Sequence, residues 1–147
     1  MRSLIAGVDD DGRSSIVTEL PIEIQDVYRD GPSSRQDLYT LRETPPPPRS
    51  ATQVGATKAG FHEAGLEPGH LNICVLQMPA GVEHPMHYTH TLNLHVIVAG
   101  SAEVLLDDGP HLLEMGDSLV LPPVDHGWRT GAGGCTQTIM SLGSIRP

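Results

Sequence analysis

The chain has 147 residues, enough for one domain with its own core, and 38% hydrophobic with only 3% aromatic residues makes that core aliphatic. A formal net charge of −9, with no basic run and no series of stacking aromatics, excludes nucleic acid as a partner. No apolar run reaches the length of a membrane span and the opening MRSLIAGVDDDG holds no signal-type apolar block, so the expected location is the cytoplasm, off the membrane. Cys74 and Cys135 lack zinc-type spacing and are expected as buried, reduced thiols.

In chain order, SSIVTEL (14–20) and DLYTL (37–41) have the texture of short strands separated by an Asp30-Gly31-Pro32 turn. The four prolines of ETPPPPRS (43–50) cannot donate backbone hydrogen bonds and favour a stiff, extended connector. Residues 51–70 show no period and are expected to form a loop over one side of the fold. From Leu71 the texture changes. LNICVLQM, LHVIVAG, EVLL, HLLEM, SLVLPP, HGWRT and TQTIMSLG follow one another as strands, with turn signals at Pro79-Ala80-Gly81, Asp107-Asp108-Gly109 and Gly116-Asp117. Short strands recurring at this spacing, with no helical period, predict an all-β barrel or sandwich. Residues 1–60 are assigned to N-terminal strands, connector and covering loop of the same domain, and 61–147 to the barrel.

Between His84 and His95 the chain carries His84, His87, His90 and His95, half of its eight histidines, and His126 follows downstream. Pro85 and the Thr-rich YTHTL are poor helix material, so a strand entry is expected here. Alternation then places His87, Thr89, Thr91, Asn93 and His95 on one face, with a bulge as the alternative that would turn His90 inward. Imidazoles converging from rigid strands can hold a divalent transition metal, and equally can line a metal-free, hydrogen-bonded pocket. Both readings stand. His62, His70 and His111 are expected to be solvated turn residues. Trp128 is expected to pack at the barrel edge or a dimer contact, with lining of the pocket mouth as the alternative, and Arg129 to be solvated or ion-paired. Asp107 and Asp108 fit a hairpin turn better than a calcium site.

The segment from Gly81 to Gly143 resembles the barrel of the cupin superfamily. Its first motif, G-x5-H-x-H-x3–4-E-x6-G, meets Gly81, His87, Thr89, Asn93 and Gly100; its second meets Gly116, Pro122 and His126. PMHYTHTLNL and VDHGWRT are similar to segments of short, single-domain bacterial cupins, and RSLIAGVDDDGRSSIV and DLYTL to their N-terminal strands. The resemblance implies a cupin-type jelly-roll barrel with additional N-terminal strands. Edge strands of such a sandwich need covering, so a homodimer is expected, with exchange of N-terminal segments between subunits as one way to do it, and the expected ligand is a small molecule. Thr89 and Asn93 depart from the motif's second histidine and glutamate. A metal site would therefore draw on His87, His90, His95 and His126 for zinc, iron, nickel or copper. Catalysis would rest on His87 and His126, with Asn93 and Gln77 orienting a carbonyl-bearing or phenolic compound for isomerisation, cyclisation or oxygenation. A non-catalytic binding or sensor barrel without metal is the alternative.

Overall fold

A computed structural model of the chain describes residues 2–8, 14–21, 26–27, 31–41 and 66–144, with side chains for 31–38 and 66–144. Among the described residues there is no helix. The tetraproline segment, His62, the expected Asp30 turn and the division near residue 60 lie outside them.

The N-terminal strands β1 (Arg2–Val8) and β2 (Ser14–Pro21) pair antiparallel as a two-stranded sheet. A second sheet joins β3 (Asp26–Val27), β4 (Ser34–Leu41), β5 (Leu71–Met78), β10 (His126–Gly143), β7 (Thr91–Leu106) and β8 (Gly109–Glu114) in that order. Two further strands sit off this path, β6 (Glu83–His87) on β10 and β9 (Ser118–Leu121) on β7. All the pairings in this sheet are antiparallel.

Two long strands make this one sheet into a jelly roll. The residues of LHVIVAG and EVLL form one 16-residue strand, and those of HGWRT and TQTIMSLG one 18-residue strand. The first half of β7 pairs with β9 and its second half with β8; the first half of β10 pairs with β6 and its second half with β5. Both strands change partners where the β7–β10 register shifts between Thr130 and Cys135, opposite Gly100. Gly100 and Gly134 have φ of +71° and +66°, a backbone conformation that glycine adopts without steric cost. They also touch: a Cβ on Gly100 would run into the Gly134 carbonyl oxygen, and one on Gly134 would lie 2.7 Å from the Met78 carbonyl oxygen. Each strand thus bends at its glycine, and the sheet closes over its own inner face.

The core fills the space so enclosed. Leu76, Met78, Ile97 and Cys135 from one half pack with Ala102, Val104 and Trp128 from the other. A fully buried aliphatic side chain contributes roughly 1.5–3 kcal/mol, so this cluster supplies most of the closing force. Turns fix the ends. Leu106 pairs with Gly109 across Asp107-Asp108, the two-residue hairpin expected from sequence. At the next turn the Asp117 carboxylate accepts the Glu114 N–H at 2.8 Å, and Ile97 N–H donates to the Asp117 carbonyl at 3.0 Å. Thr130 Oγ1 donates to the Pro79 carbonyl at 2.7 Å and accepts from Val82 N–H at 2.9 Å, which ties the loop before β6 to β10.

The bend should therefore be the costliest place to add a methyl group. Gly134→Ala is expected to lose more than about 2 kcal/mol, combining a left-handed φ at roughly 1–3 kcal/mol with a backbone collision. Gly133→Ala, whose Cβ would meet nothing within 4 Å, should stay within about 0.5 kcal/mol of wild type. Urea melts of the two variants check this difference; equal midpoints would contradict it.

Candidate functional site

Strand alternation decides which side chains enter the barrel. On β5 the inner face is Asn72, Cys74, Leu76 and Met78; on β10 it is Cys135, Gln137 and Ile139, and on β7 Thr91, Asn93, His95 and Ile97. The rows nearest the glycine bend are mainly apolar. Farther along, polar residues are just as deeply buried: Asn72, Asn93, His95, His126 and Gln137 each expose 7% or less of their surface. Buried polar groups on this scale require partners.

His87 ends β6 and His126 begins β10, and the two stand directly opposite in the β6–β10 register. Their ring centroids are 4.5 Å apart with the planes tilted by 51°. Each imidazole is held the same way. His87 Nδ1–H donates to the Pro85 carbonyl at 2.9 Å, and His126 Nδ1–H to the Val124 carbonyl at 2.9 Å, two residues upstream in both cases. A carbonyl can only accept, so Nδ1 carries the proton in each ring and the lone pair of the neutral imidazole lies on Nε2. His126 is buried and His87 half-buried, so the pair bridges interior and surface.

His95 lies deeper, with 3% of its surface exposed. Its Nδ1–H donates to Gln137 Oε1 at 2.9 Å, and its ring packs on Trp128 with centroids 4.8 Å apart. Its Nε2, the Gln137 Nε2 and the Asn93 Oδ1 are all buried with no hydrogen-bond partner. Burial pushes the His95 pKa down to about 4; the Gln137 bond raises it somewhat and nearby His126 lowers it further. His95 is therefore a neutral hydrogen-bond acceptor at physiological pH.

The structure brings together His87 and His126, and sets Asn93 and His95 on the same inner face. It does not bring in Gln77, which is exposed on the outer face of β5; the glutamine on the inner face is Gln137. The strand expected to run from His87 to His95 is interrupted after β6, and His90 falls in that break, its ring edge-on to Tyr88 at 4.9 Å. Among the described residues no three or more His, Cys, Asp or Glu side chains are arranged to hold a metal ion. His87, His90, His95 and His126 are not gathered around one point, and the slots that would complete a ligand set carry Thr89 and Asn93. This donor set does not fit a divalent transition metal. Trp128 also departs from expectation: it is a core residue lying on His95, away from the barrel edge. Arg129 is exposed and ion-paired to Glu103 at 2.6 Å, and His111 is exposed beside Asp108.

Gln137 carried a readable signal. It is a polar residue in phase with Cys135 and Ile139, the apolar alternation of its strand. Arg35 had no such signal, because β4 alternates weakly. Its register partner is Leu76, which puts it on the inner face, where it pairs with Asp37 at 2.9 Å and donates to Asn72 Oδ1 at 2.6 Å. The cysteines are free and buried as expected, and burial raises both thiols to about 11.

Comparison with known proteins agrees on the architecture. No protein-family model matches the sequence, and no curated protein does. Among solved structures, the cupin domain of Cnp3 from Schizosaccharomyces pombe aligns over 97% of this chain and 88% of its own, with a TM-score of 0.58 and 12% identity. An RmlC-like cupin from Shewanella frigidimarina aligns over 84% of this chain and 85% of its own, with a TM-score of 0.51 and 24% identity. The chain has the cupin fold. No helix among its described residues is long and apolar enough to cross a membrane.

The depressed His95 pKa makes a stability prediction. The group's pKa is lower in the folded chain than the ordinary 6.5, so the unfolded chain binds more protons between these values. The contribution is complete above pH 6.5 and is lost as the pH falls toward 4, by about 3 kcal/mol for a shift of this size. Urea unfolding of His95→Gln should show a shallower fall in stability over that window than wild type. Parallel pH profiles would contradict the assignment.

Proposed function

Within this cupin fold, we propose that the barrel is a small-molecule enzyme site that moves a proton on a carbonyl-bearing compound, with His87 and His126 as the acid–base pair. The observation that carries this reading is the shared tethering of the two imidazoles. Both Nδ1–H groups are fixed on backbone carbonyls and the ring centroids stand 4.5 Å apart, which supports both rings acting on one bound compound. With one imidazole neutral and the other protonated, the neutral Nε2 takes a proton from the carbon next to the carbonyl. The protonated partner's Nε2–H donates to the carbonyl oxygen, and the enol forms with charge conserved. On an α-hydroxy carbonyl compound this enol is an enediol. Return of the proton to the former carbonyl carbon, with the neighbouring hydroxyl giving its proton to the neutral imidazole, completes an isomerisation; return of a proton to the original carbon is exchange with solvent. The half-exposed position of His87 gives the pair access to water for resetting. The unpartnered buried polar atoms beyond the pair support a ligand that reaches into the interior, since each such atom costs roughly 1–3 kcal/mol when left unmet.

The test is deuterium uptake from heavy water, followed by NMR, into dihydroxyacetone, hydroxyacetone, pyruvate and acetoacetate incubated with the full chain. At least one compound should exchange faster than buffer alone allows. His87→Gln and His126→Gln should each lower that rate about a hundredfold or more, the scale of general acid–base assistance. Variants as fast as wild type would remove the pair from the chemistry. Exchange of none of the compounds, with binding retained, would leave a binding barrel in place of an enzyme.

A further inference from the structure

His95, Gln137 and Asn93 form a row behind the acid–base pair, and their unpartnered atoms amount to a recognition code. We propose that this row receives the leading end of the ligand and selects an uncharged polyhydroxy carbonyl compound, one with two O–H donors beside a carbonyl oxygen, over carboxylates and phosphates. The inference rests on the proton-transfer reading only for the need of a carbonyl; the selection itself follows from the row.

The donor and acceptor count comes from the hydrogen bond inside the row. Because Gln137 Oε1 accepts from His95 Nδ1–H, the His95 Nε2 carries a lone pair, and the Gln137 side chain is left with its amide N–H donors. Asn93, two residues upstream of His95 on the same face of β7, adds a second acceptor through Oδ1. The row therefore offers two acceptors and a donor group. A ligand meeting all three supplies two hydroxyl hydrogens and one oxygen lone pair. A carboxylate or phosphate supplies lone pairs only, and would set negative oxygens against the His95 and Asn93 acceptors.

Charge points the same way. Burial keeps His95 neutral down to about pH 4, so it gives no cationic anchor in the working range. Among the described residues of this inner face, Arg35 lies against the Asp37 carboxylate at 2.9 Å and the Asn72 oxygen at 2.6 Å, so its charge is balanced within the protein. An anionic group brought to the row would lose its hydration and find no cation among the three side chains of the row itself, a costly form of burial. The Trp128 ring on His95 adds a flat apolar wall that suits the carbon skeleton of a small neutral compound.

Gln137 is accordingly a specificity residue and also a positioning one. It meets the ligand through its amide nitrogen and fixes the tautomer of His95 through its oxygen. Turning the amide over would invert the code, with Gln137 Nε2–H donating to His95 Nδ1 and the imidazole proton moved to Nε2.

Binding, rather than turnover, tests the inference. The full chain, with its histidine rings labelled with nitrogen-15, is titrated with dihydroxyacetone, glycerate and dihydroxyacetone phosphate while the His95 Nε2 resonance is followed. Dihydroxyacetone should move that resonance in the direction of an accepted hydrogen bond and bind at least about tenfold more tightly than either anion. Asn93→Leu, which removes one acceptor, and Gln137→Glu, which keeps the acceptor for His95 Nδ1–H but removes the donor, should each weaken dihydroxyacetone about tenfold or more. Stronger binding of either anion overturns the inference, as does unchanged affinity in both variants. A His95 Nε2 resonance that no probe moves means that the row holds water only, and also overturns it. Rapid deuterium uptake by pyruvate in preference to dihydroxyacetone would sink this selection while sparing the acid–base pair. Selective binding without deuterium uptake in any compound would spare the selection and sink the pair.

Discussion

At the crossing of β7 and β10, the carbonyl of Gly134 occupies the space that any side chain at Gly100 would need. Much of the architecture depends on this approach of two backbones. It lets each long strand leave one half of the sheet and enter the other, and it sets the apolar side chains of both halves against one another. It also decides the position of the chemistry. His95 and Gln137 lie on one side of the bend, His126 and Trp128 on the other, and only the folded-over sheet stacks His95 on Trp128. A flat sheet with the same hydrogen bonds would carry the same residues and no interior.

Above the bend the site divides into two kinds of imidazole environment. His87 and His126 are anchored to main-chain carbonyls near the rim, where water can reach one of them. His95 is anchored to a side-chain amide in the interior, where burial holds it neutral. In the proposed reading one residue type serves as a proton carrier in the first setting and as a fixed acceptor in the second, and environment alone separates the two roles.

The sequence told the strands apart wherever alternation and turn residues agreed. LNICVLQM begins and ends where expected, and Asp107-Asp108-Gly109 turns as expected. The long strands were missed because glycines at 100 and between 131 and 134 resemble breaks, whereas here they bend a continuous ladder. The histidine-rich stretch was half legible. Its motif spacing singled out His87 and His126, and alternation singled out Asn93 and His95. The phase between the two halves was not legible, because it depends on the interruption at 88–90. Gln77 was a plausible orienting residue by nearness in sequence, yet it falls out of phase with Cys74, Leu76 and Met78. Gln137 carried the better signal, a polar residue in phase with apolar neighbours. Arg35 could be placed inside only through its register with Leu76, which no local pattern encodes.

The strand that brings His87 to its partner is the slightest part of the barrel wall. β6 has five residues, none of them buried, and meets β10 at three register positions. An element with so little apolar contact opens at a free-energy cost well below that of melting the whole chain. Such an opening would uncover the interior and, in the same movement, part the two imidazoles. A compound entering by this route would pass while the two imidazoles are apart, and closure behind it would bring them together again.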